Sequence, residues 1–377
     1  MCAGQGEAEK SPSAEQLERD NDEMHVALNK CKDRIPATAW RWDACKRLSN
    51  EYEMVRSVAL LQPVSRAFFK LWEVMHDYQA EIGIDAPAAA DTPPLTAAFL
   101  AEGPGGFVES FAAFRGAHAR DALHCITLVS ASRAVPGWKL AAVRRAAPGS
   151  CVKIHRGADG TGNLYRVANI DHFAASPLAG NCRLVTADGG FDFSGDFNAQ
   201  ESASARLLLC EAYTALRLQA PGGAFVLKIF DVRCKDTIAL LYTLRLCYTD
   251  VRIVKPLTSR PANSEKYAVC TGFLGPPPPE LLAAIRSAVV AADQLPVSGA
   301  AQFLPHTPTW FLAAIVHLNS TLVARQVCHI VVTLVLAGQH QRRATKLGHA
   351  QCSNQQLLKA KDWCRKYGVG FKGSLTP

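Results

Sequence analysis

The sequence contains no Cys-x-x-Cys pair, and none of its cysteines stands at zinc-ligand spacing from the scattered histidines. No metal site is expected. The 13 cysteines are an odd number spread through 377 residues, and no charged-then-apolar segment opens the chain. The expectation is therefore reduced, mostly buried thiols in an intracellular compartment rather than a disulfide framework. Long apolar runs are also lacking. The longest, at 327–338, carries His329 and is shorter than a bilayer crossing requires, so no membrane contact is expected. There is no internal repeat. Neither the dinucleotide fingerprint Gly-x-Gly-x-x-Gly nor a phosphate loop with Lys and Ser/Thr occurs, which argues against a nicotinamide-dependent oxidoreductase.

What is present suffices for a large core, since 49% of residues are hydrophobic and 20% are charged. The net charge is +8, unevenly spread: two cations face seven acids in the first 24 residues, which leaves +13 on the rest. An excess of that size suits a polyanionic partner, with nucleic acid the first candidate, and equally suits an ordinary basic surface.

The spacing of apolar residues organises the chain into four stretches. Residues 1–24 read as a mobile acidic tail. Residues 25–90 read as a helical N-terminal segment, ending in a proline- and alanine-rich linker. From 91 to 275, short apolar runs at 95–101, 125–129, 151–155, 183–187, 224–230, 251–254 and 266–273 read as strands. Helical stretches at 106–114, 200–219 and 235–247 lie between them. This is the pattern of an α/β domain with a seven-stranded, mostly parallel sheet whose last strand inserts antiparallel. Residues 276–377 read as a helical C-terminal extension, with helices at 280–290 and 309–366.

Five motifs carry chemistry. The segment 101–107 (AEGPGGF) follows the first strand and opens a helix, where glycines and free amides let a ligand approach the backbone. It suits the amino-acid end of S-adenosylmethionine, and taken alone it is also an ordinary tight turn. Asp188, in 184–191 (LVTADGGF), falls at the carboxyl end of the fourth strand and faces the same crevice, although Asp-Gly is also a common turn pair. Lys228 closes the apolar strand of 222–230 (GGAFVLKIF), where a lysine must be paired, become neutral or reach solvent. Segment 255–267 (KPLTSRPANSEKY) is a polar loop between the last two strands. Lys70, in 65–72 (SRAFFKLW), sits on a helix ahead of the sheet and by itself reads as a surface lysine.

Together these motifs are more specific than any one of them. The chain resembles the FtsJ-like family of ribose 2′-O-methyltransferases, most closely the branch that methylates the first transcribed nucleotide of capped messenger RNA, and the resemblance is clearest over 45–275. It implies a Rossmann-like class I methyltransferase sheet and S-adenosyl-L-methionine as cofactor. It implies a catalytic set of Lys70, Asp188, Lys228 and Glu265. It further implies cofactor contacts from Glu102, Gly103, Pro104, Gly105, Gly106, Phe107, Asn163 and Asp188, with Asn163 standing where the cap enzymes carry an acid. Substrate contacts would come from Arg66, Asn198, Gln200 and Asn263. Trp40, Trp42 and Tyr52 are candidates for stacking on the cap base and equally for the core. The partner would be capped RNA, and the site of action the nucleus, with the cytoplasm as alternative. Ribosomal, transfer or second-nucleotide cap RNA, or a non-catalytic RNA-binding subunit of the same fold, are the competing readings. The expected mechanism makes Lys228 the proton acceptor, with burial, Lys70 and the sulfonium lowering its pKa.

Overall fold

The computed structural model describes residues 12–85, 92–116, 119–132, 135–175, 177–191, 196–291, 299–339 and 346–373. The N-terminal segment comprises α1 (Ala14–Lys32), α2 (Ala39–Leu48), the single turn α3 (Val55–Val58), α4 (Ala67–Asp77) and the single turn α5 (Gln79–Ile82). Then β1 (Thr96–Leu100), α6 (Gly106–Arg115), β2 (Ala122–Ile126), α7 (Leu140–Ala146), β3 (Cys151–His155), α8 (Val167–Phe173), β4 (Cys182–Ala187), α9 (Gln200–Leu218), β5 (Gln219–Ile229), α10 (Lys235–Cys247), β6 (Tyr248–Val254) and β7 (Lys266–Phe273) follow. The chain continues through α11 (Pro279–Ala291), α12 (Thr309–Gln339) and α13 (Lys346–Lys366).

The seven strands lie in the order β3-β2-β1-β4-β5-β7-β6. β1 to β5 pair in parallel, and β7 runs antiparallel between β5 and β6. The seven-stranded, mostly parallel fold is thus as expected. Alternate residues of each strand serve opposite faces. Ala98 and Leu100 pack with the buried residues of α9, α10 and α11, whereas Ala97 and Phe99 pack with α4, α6 and α13. The chain order reverses between β1 and β4, which opens a crevice at their carboxyl ends.

Two expectations change. The stretch through residue 24 is not wholly a mobile tail: Ser13 caps α1 by accepting the Gln16 amide at 3.2 Å, and Leu17, Asn21, His25, Leu28 and Lys32 form its buried face. That stripe has helical spacing but contains Asn, His and Lys, so hydrophobicity alone does not reveal it. Two of its polar members find partners inside: Asn319 Nδ2 of α12 donates to Asn21 Oδ1 at 2.8 Å, and Lys32 Nζ donates to Asp231 at 2.6 Å. The run at 327–338 is also not an isolated short one. It belongs to α12, in which 30 residues are long and apolar enough to cross a membrane. His317, Asn319, Ser320 and Arg325 interrupt the apolar run in sequence, yet Asn319 and Gln326 turn inward to hydrogen bonds.

Candidate active site

Strand pairing assembles the site. Ala187 on β4 pairs with Leu227 on β5, so Asp188 emerges beside Lys228, and Lys228 pairs in turn with Tyr267 on β7. Lys228 Nζ donates to the Asp188 carbonyl at 2.7 Å and lies 3.2 Å from its carboxylate, which also accepts the Tyr267 hydroxyl at 2.9 Å. Glu265 immediately precedes β7. Its carboxylate accepts Lys70 Nζ at 2.7 Å and Ser259 Oγ at 2.8 Å.

Lys70 reaches this point because α4 packs on α6, the helix opened by the glycine turn. A β-carbon at Gly106 would lie 2.1 Å from Ser65 Oγ and 3.2 Å from the Phe68 amide, so glycine lets the two helices close up. One turn beyond Lys70, buried Glu73 accepts the amides of Leu257 and Thr258 at 2.5 and 2.8 Å and the Trp363 indole at 3.0 Å. The loop 255–265 is thereby fastened to α4 and α13. Lys255 fastens it from within by donating to the carbonyls of Asn263 and Glu265 at 2.7 and 2.6 Å.

Of these groups, Asp188, Lys228, Asn263 and Glu265 border a cavity of about 860 Å³. One half is a slot between Gly103, Pro104, Leu128, Val135, Leu164 and Tyr165. Its walls touch closely: a β-carbon at Gly103 would sit 2.1 Å from the Pro136 carbonyl, and one at Gly162 2.1 Å from the Thr127 carbonyl. The other half is bounded by Ile35, Pro36, Trp42, Asp43, Lys46 and Phe197. Asp188, Lys228, Asn263 and Glu265 line the same cavity. A flat apolar group with a cationic end suits the cavity, since Asp188 is among its lining residues.

Electrostatics correct one expectation. Burial works to lower the Lys228 pKa, but Asp188, Glu265 and Glu211 outweigh it, and the ammonium is held above its ordinary value. Burial alone would raise the Glu265 carboxyl, yet Lys70, Lys228 and Lys255 bring it down to about 2. Lys255 is lowered to about 7 by burial. Glu102 accepts the Thr186 hydroxyl at 3.0 Å, and burial beside Asp188 raises its pKa well above the carboxylate range.

The remaining sequence candidates divide. Gly103, Pro104, Asn163, Gln200 and Asn263 line the cavity. Glu102, Gly105 and Gly106 lie behind it as the turn's support, and Phe107 packs into the core against Tyr267. Arg66 does not reach the cavity: its guanidinium donates to the carbonyls of Glu53 and Thr258, both at 3.1 Å. Asn198 Nδ2 is engaged by Asp33 at 2.7 Å. Trp42 is a core residue that also lines the second half, Tyr52 packs against the core, and the Trp40 side chain lies outside the described residues. Ile35, Pro36, Asp43 and Lys46 have no signature in the sequence, because they come from the turn after α1 and from α2, outside every motif.

Two lysine–carboxylate pairs meet at the switch point of the sheet, where ligands bind in open α/β folds. The sequence profile of the FtsJ-like methyltransferases matches residues 63–273, and this chain belongs to that family. Two relatives named cap-specific mRNA (nucleoside-2′-O-)-methyltransferase 1 are similar to it. The Trypanosoma cruzi protein is 44% identical over 124 residues, 33% of this chain and 34% of its own. The Danio rerio protein is 36% identical over 239 residues, 60% of this chain and 28% of its own. The chain thus spans about a third of the length of these curated relatives. A putative ribosomal RNA methyltransferase from Plasmodium falciparum has a TM-score of 0.38 at 17% identity, over 56% of this chain and 98% of that one, a likeness too distant to bear on function.

Proposed function

We propose that this chain transfers a methyl group from S-adenosylmethionine to the ribose 2′-hydroxyl of the first transcribed nucleotide of capped messenger RNA, with the nucleus as its site of action. The observation that carries the proposal is the meeting of two pairs, Lys228–Asp188 at 3.2 Å and Lys70–Glu265 at 2.7 Å: Asp188, Lys228 and Glu265 line one cavity, and Lys70 is joined to it through Glu265. The names borne by the two relatives supply the cap, the messenger RNA and the 2′-oxygen.

The slot fits the cofactor, with Gly103, Pro104 and Asn163 along it and Asp188 available to a cationic group. The cofactor supplies a methyl group already activated on a positively charged sulfonium, and a cation beside Lys228 opposes the carboxylates that hold its proton. Lys228, once its own proton has passed to bulk water, accepts the proton of the 2′-hydroxyl, and Asp188 fixes the direction of its amine. Lys70, steered by Glu265, holds a neighbouring substrate oxygen. Positioning of this kind can contribute about 7–11 kcal/mol. The half containing Trp42, Asp43 and Lys46 is open to the cap and first phosphates.

Incubation with labelled cofactor and three short RNAs tests this: one uncapped, one with a methylated cap, and one whose capped first nucleotide already carries a 2′-O-methyl group. Label on the second alone is expected. Equal label on uncapped RNA would remove the cap from the account, and no label despite bound RNA would indicate a binding subunit.

A further inference from the structure

Beneath the reaction centre lies a carboxyl group that the mechanism above does not use. Glu211 is on α9, one turn beyond Leu207, which lines the cavity. It is 0% exposed. A β-carbon added to Gly189, the residue after Asp188, would lie 2.4 Å from Glu211 Oε1, so the carboxyl abuts that turn directly. The Gly189 amide faces it, but neither oxygen has a well-aligned hydrogen bond among the described residues. A buried carboxylate without donors is unfavourable, and protonation relieves it.

The charged and titratable groups facing Glu211 are those of the site. Asp188 comes from the end of β4, Lys228 from β5, Glu102 from the turn after β1, and the phenol of Tyr165 from the segment before α8. Burial and Asp188 push the Glu211 pKa up, Lys228 opposes them, and the result is about 8. Glu211 in turn strengthens the hold of Lys228 on its proton.

We propose that Glu211 is a positioning residue of the reaction centre: a buried acid that keeps its proton beneath the Asp188–Gly189 turn and thereby sets how readily Lys228 gives up its own. At neutral pH the acid is uncharged, and Lys228 faces one fewer negative charge. When Glu211 ionises, the amine becomes harder to free. The link to rate rests on the function proposed above, whereas the protonation and its coupling do not.

The test is a chemical-shift titration of the chain labelled with δ-13C glutamate, with the Glu211 signal identified by its loss in Glu211→Gln. A midpoint near 8 is expected, rising in Lys228→Met and falling in Asp188→Asn. A midpoint in the ordinary carboxylate range, or one indifferent to both substitutions, overturns the proposal. In methyl transfer, Glu211→Gln is expected to match the unaltered chain below pH ~7 and to shift the rising limb lower by about half a pH unit. Parallel profiles at every pH overturn the positioning role. Absence of transfer by the unaltered chain would count against the proposed function, and the titration would still decide the state and coupling of Glu211.

Discussion

Lys70 and Glu265 lie 195 positions apart in the chain and 2.7 Å apart in space. Their contact joins a helix outside the sheet to the loop that enters β7. It stands on Glu73, which anchors that loop to α4, and on Lys255, which braces it from within. The site is therefore a junction of three units: the sheet edge carrying Asp188 and Lys228, helix α4, and loop 255–265.

If Lys228 takes the 2′-hydroxyl proton, Lys228→Met lowers single-turnover methyl transfer by about 10²–10⁴-fold. Calorimetric binding of S-adenosylhomocysteine should change little, because most of the cavity's lining comes from other residues. Transfer within a few-fold of the unaltered chain would remove Lys228 from this role.

Stability should depend on Glu265 at acid pH. Its folded pKa of about 2 lies below the ordinary 4.5, so the unfolded chain takes up the proton first as pH falls. The contribution is present above about pH 5 and is lost on the way down to about pH 2, on the order of 1–3 kcal/mol. Thermal melts across that window should fall less steeply for Glu265→Gln. An unchanged slope would contradict the pairing.

Gly103→Ala should weaken cofactor binding more than RNA binding. The new β-carbon would meet the Pro136 carbonyl at 2.1 Å, a backbone atom that moves only with its loop. A loss of about 1–3 kcal/mol in stability is expected. Melting and S-adenosylhomocysteine titration of the variant check both parts.

Lys46 lines the second half of the cavity and is paired at 2.8 Å with the largely exposed Asp43. Lys46→Ala should raise the KM for capped RNA and leave cofactor affinity unchanged. If it contacts a phosphate, the slope of log affinity against log salt should fall by about one. An equal effect on both ligands would place Lys46 in the fold rather than the RNA site.

Local pattern revealed the sheet because each strand is a short apolar run closed by turn residues, and the second strand was displaced by about one turn of sequence, to Ala122–Ile126. Helices α7 and α8, of seven residues each, are too short for a visible stripe. Asp188 and Lys228 were legible because each interrupts or ends an apolar strand pattern. Lys70 and Glu265 became legible only through the resemblance, since a lone lysine on an apolar helix and an acid in a polar loop have no signature. Glu211 was hidden among the apolar residues of α9, and the direction of the Lys228 shift needed the positions of Asp188 and Glu265 together. Arg66 and Asn198 looked free in sequence because their partners, Glu53 and Asp33, belong to the N-terminal helical segment.

The most direct test is to locate the methyl group. Capped RNA treated with the chain and S-adenosylmethionine is digested, and the first nucleotide is analysed by mass spectrometry. The account predicts one added methyl on the ribose 2′-oxygen of that nucleotide. A methyl on a base, or on the ribose of an internal nucleotide alone, would contradict it.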